Sequence, residues 1–369
     1  MVQALSLAKL ALGSVSPNPA VGAVIVNNDV VVGQGYTQPA GSEHAEIMAL
    51  QQAGEQARGG TMYVTLEPCC HYGRTPPCSQ AIIDSGISEV HLAMLDPNPL
   101  VSGRGKEEIE QEGIKTYVGK HEEEAREINE AHIKFITTGM PFVTAKFAMS
   151  LDGKIATKSG DSKWISSEES RKQVHNLRYI TDAIMVGVNT VLTDDPLLTC
   201  RCCGGRGGTA RKQPLRVVVD GKGRTPPTAR LISEPGKTLL ALGKSIMPNE
   251  ARAFAKAGAE IIELPSAEGL VDLEGLLENL GKREITSVLV EGGGLLLGSM
   301  FDRGLVDKVI AFIAPIIIGG NEAKTAVGGE GVDKVANSPR LERINLEKFG
   351  EDLMVSGYVV PKNKKAKVS

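Results

Sequence analysis

Apolar residues between positions 2 and 12 recur at helical spacing, with Gln3, Ser6 and Lys9 between them, and predict an amphipathic first helix rather than a signal peptide. Two apolar runs, VGAVIV and VVVG, flank the polar Asn27-Asn28-Asp29 turn and predict a β-hairpin. The pattern then alternates. It predicts a helix over about 44–53, the strand MYVTL, a helix after Cys78, the strand VHLAML, a helix near 104–112 and the strand TYVG. The acidic stretch HEEEAREINEAHIKFI predicts one closing helix. Strands alternating with helices make an α/β layer with helices packed on a sheet.

Thr137-Thr138-Gly139-Met140-Pro141 breaks this series, and a second one begins at FVTAKFAMS. Its strands include LRVVVD, TLLAL, IIEL, SVLV and VIAFIA, with helices near 168–179, 249–257, 271–280 and 294–303. A length of 369 residues, at roughly 150 per domain, agrees with two domains. We place them at 1–140 and 141–361, followed by a solvated, disordered basic tail over 362–369. RTPP occurs twice, but its flanks differ and no repeat follows.

Composition narrows the function. With 41% hydrophobic and 23% charged residues, each half has enough apolar material for a core. No apolar run approaches the ~18 residues of a membrane-spanning helix. The first 140 residues carry 9 Lys and Arg against 17 Asp and Glu, and the remainder 32 against 27. An N-terminal half at −8, in a chain with only 4% aromatics, is a poor partner for nucleic acid. The positive second half suits phosphorylated ligands. Six cysteines fall in two tight clusters, a poor disulfide framework, so a reducing cytoplasmic location is expected.

The strongest chemical signal is His44-Ala45-Glu46 ahead of Pro68-Cys69 and Pro77-Cys78. One imidazole and two thiolates suit a zinc ion with a fourth position open to water. Zinc can lower the pKa of water from about 15.7 to about 7. Glu46 is not needed as a ligand and is free to carry protons, the roles of the zinc-deaminase signature. Eight residues separate the two cysteines instead of two, and Cys70, adjacent to Cys69, is expected to be a bystander. The alternative is a structural zinc, or three unconnected thiols and a buried histidine.

HAE, TLEPCCHYGRTPPC and DPNP, preceded by SPNPAVGAVIV, resemble the deaminase domain of the bifunctional riboflavin-biosynthesis deaminase/reductase family, widened cysteine spacing included. The resemblance implies a cytidine-deaminase-like three-layer α/β/α domain that hydrolyses the 2-amino group of a diaminopyrimidinone ribotide. It also implies that Asn18, His71, Arg74, Asp96 and Asn98 contact substrate. Asn-Pro and Asp-Pro-Asn-Pro are equally ordinary turn chemistry.

The second half carries SVLVEGGGLLLGSM, a strand, a glycine turn and an apolar helix, which exposes backbone N–H groups suited to a pyrophosphate. It does not match G-x-G-x-x-G, and the near-match at Gly205, Gly207 and Ala210 has neither the strand nor the helix. KFAMSLDGKIAT, SKWIS, HNLR, VGVNTVLTDDPLLTCR and LVEGGG resemble the same family's reductase domain, implying a dihydrofolate-reductase-like α/β fold and NADPH. Carried over by matching positions, Lys146, Ser162, Arg178, Asp194, Leu197, Arg201 and Glu291 face substrate. Ala148, Trp164, Thr190, Gly292, Gly293 and Gly294 face the nucleotide. Arg178, Arg201 and Ser162 suit a sugar phosphate. Asp194-Asp195-Pro196 offers two acids, either of which could cap a turn. Cys200, Cys202 and Cys203 lack a nearby histidine and are not expected to bind metal.

The expected protein is therefore a homo-oligomeric enzyme with one catalytic Zn2+ and NADPH, acting on a small phosphorylated ribotide. Two alternatives stand beside it: a nucleic-acid base deaminase with an appended domain, and a non-catalytic zinc protein with a ligand-sensing half.

Overall fold

The computed structural model describes residues 1–72, 76–201, 213–243, 245–266 and 269–361. The chain divides into two compact units, one of residues 1–140 with 284–286, the other of 141–283 with 287 onward. The basic tail, Arg74, Cys202, Cys203 and the near-match at 205–210 lie outside the described residues.

The first unit runs α1 (Val2–Ala11), β1 (Gly22–Asn27), β2 (Val30–Tyr36), α2 (Ala45–Ala53), β3 (Thr61–Val64), α3 (Cys78–Ser85), β4 (Glu89–Leu92), α4 (Arg104–Gln111), β5 (Lys115–Val118), α5 (Glu122–Ile128) and α6 (Glu130–Thr138). Its sheet has the order β2-β1-β3-β4-β5. β1 is antiparallel to β2 and β3, whereas β3, β4 and β5 are parallel.

Glycines let the helices sit on the hairpin backbone. A Cβ on Gly22 would lie 2.0 Å from Ala4 O of α1, and one on Gly35 would lie 2.4 Å from Ala45 O of α2. Gly35 pairs with Ala23, the neighbour of Gly22, so the two glycines point to opposite faces. Helices therefore cover both sides of the sheet, in three layers. Met62, Val64, Val90 and Leu92 alternate into the core on one face.

The closing helix differs from expectation. It breaks at Asn129, which accepts from Ala20 N at 2.8 Å and donates to Ala20 O at 3.0 Å and Ala125 O at 3.3 Å. Those bonds tie the 15–20 loop to the helix pair.

The second unit contains β6 (Phe142–Ser150), α7 (Glu168–Ile180), β7 (Ala183–Gly187), α8 (Val188–Asp194), β8 (Leu215–Asp220), α9 (Arg230–Ser233), β9 (Thr238–Leu242), α10 (Pro248–Ala257), β10 (Ala259–Glu263), α11 (Leu273–Lys282), β11 (Ser287–Glu291), α12 (Gly294–Asp302), β12 (Lys308–Ala314), β13 (Leu341–Phe349) and β14 (Asp352–Val359). The nine-stranded sheet has the order β10-β9-β8-β7-β11-β6-β12-β14-β13. All pairs from β10 to β12 are parallel, and β14 and β13 add antiparallel. The carboxyl ends of β6, β7 and β11 lie side by side, the edge where ligands of parallel sheets bind. β7, α8, α9, β13 and β14 were not among the predicted elements. Seven of the nine residues of β13 are exposed, so it has no buried face for the pattern to show.

Candidate active sites

His44 precedes α2, Glu46 lies in its first turn, Cys69 follows β3 and Cys78 opens α3. His44 Nδ1 is 3.2 Å from Cys78 Sγ and 3.6 Å from Cys69 Sγ, and Cys78 N donates to Cys69 Sγ at 3.4 Å. The three ligand atoms lie within 4.8 Å of one another. The Cys78 hydrogen bond, with help from His44, pulls the Cys69 thiol down to about 4 against the effect of burial. The Cys78 thiol is pushed up, by its bond to Cys69 and by burial. Two thiolates this close repel each other, and a dication relieves both. The donor set therefore fits zinc. Cys70 stands apart, its Sγ 3.9 Å from Leu100 O.

Glu46 is 4% exposed, and burial, with the Cys69 charge next, pushes its carboxyl up to about 7. A carboxyl poised there can both take and give a proton at neutral pH.

His44, Glu46 and Cys69 line a cavity of about 390 Å³, and Cys78 is fully buried. Asn18, His71, Asp96 and Asn98 line it as well. His71 Nδ1 is buried with no hydrogen-bond partner among the described residues. Burial raises the Asp96 carboxyl to about 6. Asp96 Oδ1 accepts from Asn98 N at 2.8 Å and Asn98 Oδ1 from Leu100 N at 3.0 Å, so both side chains also build their own loop. Sequence reasoning missed His132, Phe135 and Ile136 of α6 on the cavity wall, because their stretch was read only as a closing helix. His132 Nδ1 lies 3.1 Å from Pro17 O, which bears on the Asn18 loop.

In the second unit, Lys146 of β6 pairs in register with Glu291 of β11. Arg178 of α7 donates from Nε to Glu291 Oε1 at 2.6 Å and from Nη2 to Oε2 at 2.8 Å, and from Nη1 to Thr199 O at 3.2 Å. Burial lowers the Lys146 amine. Burial pushes Glu291 upward, but Arg178 and Lys146 outweigh it and hold the carboxyl below its ordinary value. Two donors of Arg178, expected to face a phosphate, are thus engaged by a carboxylate.

Thr190 meets the glycine turn. A Cβ on Gly293 would lie 3.3 Å from Thr190 Oγ1 and one on Gly292 3.8 Å, and both glycines have positive φ. Bare backbone with a hydroxyl alongside fits a nucleotide phosphate. Gly294 opens α12 but is covered on one side, since a Cβ there would lie 2.8 Å from Thr325 O. Ala148 lies two residues beyond Lys146 on β6, half-buried. Trp164 is 70% exposed, with the Arg171 guanidinium 4.6 Å from its ring centre.

No hydrogen bond among the described residues joins Ser162, Asp194 or Leu197 to either group. Arg201 is exposed, its N donating to His175 Nδ1 at 3.4 Å. The two acids separate: Asp195 adopts φ 39° and accepts from Arg230 N at 2.9 Å, a turn role, whereas Asp194 ends α8. Cys200 is buried, its Sγ donating to His175 O at 3.5 Å.

Residues 1–94 match the cytidine and deoxycytidylate deaminase zinc-binding region, and residues 141–355 match the RibD C-terminal domain. The riboflavin biosynthesis protein RibD of Aquifex aeolicus is 44% identical over 356 residues, 96% of each chain. The chain belongs to the RibD family. The RibD protein of Escherichia coli K12 is 39% identical over 96% of each chain. A solved Acinetobacter baumannii RibD structure superposes with TM-score 0.86 at 36% identity, covering 97% of each chain. The Thermotoga maritima structure named as a diaminohydroxyphosphoribosylaminopyrimidine deaminase/5-amino-6-(5-phosphoribosylamino)uracil reductase gives 0.84 at 36% identity, over 98% of this chain and 97% of its own. As a RibD protein, this chain is a bifunctional riboflavin-biosynthesis enzyme. It joins a cytidine-deaminase-like zinc unit to a dihydrofolate-reductase-like unit of the NADPH-dependent type. Among the described residues, no helix is long and apolar enough to cross a membrane.

Proposed function

We propose that residues 1–140 form a deaminase domain, residues 141–361 a reductase domain and residues 362–369 a basic tail. The first removes the 2-amino group of 2,5-diamino-6-(5-phosphoribosylamino)pyrimidin-4(3H)-one by hydrolysis. The second reduces the ribosyl group to ribityl, giving 5-amino-6-(5-phosphoribitylamino)uracil. The observation that carries this reading is the His44–Cys69–Cys78 cluster, two of whose members line one cavity with buried Glu46.

His44, Cys69 and Cys78 hold the metal. Bound zinc supplies acidified water at neutral pH. Glu46 accepts a proton from the attacking water and returns it to the leaving amine, so ammonia departs neutral. Asn18, Asp96 and Asn98 orient the base, and His71 and Arg74 hold the phosphate end. His71 Nδ1, buried with no partner among the described residues, supports a ligand role.

In the reductase domain, bound NADPH would supply the hydride for reduction at C1 of the ribose. Lys146, Ser162, Arg178, Asp194, Leu197, Arg201 and Glu291 face the substrate. Ala148, Trp164, Thr190 and Gly292 to Gly294 face the nucleotide. The Arg178–Glu291 pair fixes the guanidinium and carboxylate beside Lys146, so the substrate meets preset charges. The enzyme acts on a small phosphorylated ribotide, not on nucleic acid, in the cytoplasm and as a homo-oligomer.

Glu46→Gln tests the deaminase half. The variant should retain zinc and lose deamination by about 10²-fold or more. Full activity in a zinc-replete Glu46→Gln protein contradicts the assignment.

A further inference from the structure

Glu67 follows β3 and stands two residues before Cys69. It is only 3% exposed, and no cation pairs with it among the described residues. Its carboxylate is instead filled by backbone. Oε2 accepts from Asp96 N at 3.0 Å and from Gly103 N at 2.9 Å, and Oε1 accepts from Lys106 N at 3.1 Å. These donors are the first residue of the 96–103 loop, its last residue, and the first turn of α4.

The α4 N-terminus needs such a partner. Its N-cap is Gly103, at φ 93°, with no side chain to satisfy the first N–H groups. A carboxylate at a helix N-terminus supplies both the acceptor and the favourable charge. Gly105 allows the approach, since a Cβ there would lie 2.1 Å from Pro68 O. The 96–103 loop is stiff within itself. Asp96 Oδ1 holds Asn98 N, Asn98 Oδ1 holds Leu100 N, and Val101 N donates to Asn98 O at 2.9 Å. A loop closed in this way moves as a body, and Glu67 pins it at both ends.

We propose that Glu67 is a positioning residue of the deaminase site, fixing the loop that carries Asp96 and Asn98 against the strand end that carries Cys69. The proposal rests on the reading of the cavity as the deaminase site. Glu67 acts through the substrate-facing loop, so its loss shifts recognition before it shifts bond breaking.

The test is Glu67→Gln in the full-length, zinc-loaded enzyme with the diaminopyrimidinone ribotide. Glutamine can keep an oxygen at the Asp96 and Gly103 amides but turns an NH2 toward Lys106 N. KM should rise about tenfold while kcat falls no more than about threefold, with zinc stoichiometry retained. Gly105→Ala keeps the carboxylate but pushes α4 from Pro68, and should raise KM in the same direction. It decides the matter if Glu67→Gln does not fold. Unchanged KM in a zinc-replete variant overturns the proposal, as does a joint loss of zinc and kcat at constant KM. Wild-type enzyme that fails to deaminate the ribotide contradicts the functional reading instead.

Discussion

Arg178 and Glu291 form a two-pronged ion pair, at 2.6 and 2.8 Å, between α7 and the end of β11. Both are largely buried, so removing one partner strands the other. Glu291→Gln should cost about 3–5 kcal/mol of stability at neutral pH and depress NADPH-dependent reduction while leaving deamination intact. The pH dependence follows from the lowered Glu291 carboxyl. A depressed acid contributes stability above its unfolded value, ordinarily 4.5, and loses it as pH falls through the lower folded value. Thermal melts should therefore separate wild type from Glu291→Gln at pH 7 and bring them together in strong acid.

Zinc removal should silence one activity only. Cys78→Ser, or chelation of the wild type, should abolish deamination but leave the reduction of already deaminated substrate within about twofold. Metal analysis beside both assays checks this. Parallel loss of both activities contradicts independent sites.

Trp164 is the sole tryptophan of the chain and is exposed. If it faces the nucleotide, NADPH should quench its emission and shift it to shorter wavelength, as water leaves the indole. Thr190→Val should weaken that titration by about tenfold or less, the loss of one hydrogen bond. Emission indifferent to saturating NADPH removes Trp164 from the cofactor site.

The sole hydrogen of the Gly298 side chain faces the 325–329 segment, where a Cβ would lie 2.2 Å from Gly328 O. Gly328 N also donates to Gly294 O at 2.8 Å. Gly298→Ala should lift this segment from α12, cost about 1–3 kcal/mol and weaken NADPH binding through Gly294. Thermal denaturation and nucleotide titration read the two effects.

What was legible in the sequence follows from how chemistry is encoded. His44, Cys69 and Cys78 announce themselves because few residue types bind zinc, and Glu46 because it stands two residues from His44. Glu67 was silent because its partners are backbone N–H groups 29 to 39 residues away, which any residue supplies. Arg178 and Glu291 each resembled a family position, but 113 residues separate them and their pairing needed the sheet. The α5–α6 break came from the tertiary bonds of one asparagine. β13 escaped because an exposed strand shows no alternation.

The most direct test is product mass spectrometry of the zinc-loaded enzyme with the diaminopyrimidinone ribotide in isotopically labelled water. Without NADPH, the product should have exchanged its 2-amino group for one labelled oxygen and kept its ribosyl ring. Adding NADPH should then give the ribityl product. Reduction before any exchange would reverse the proposed order, and no exchange in zinc-replete protein would contradict the central claim.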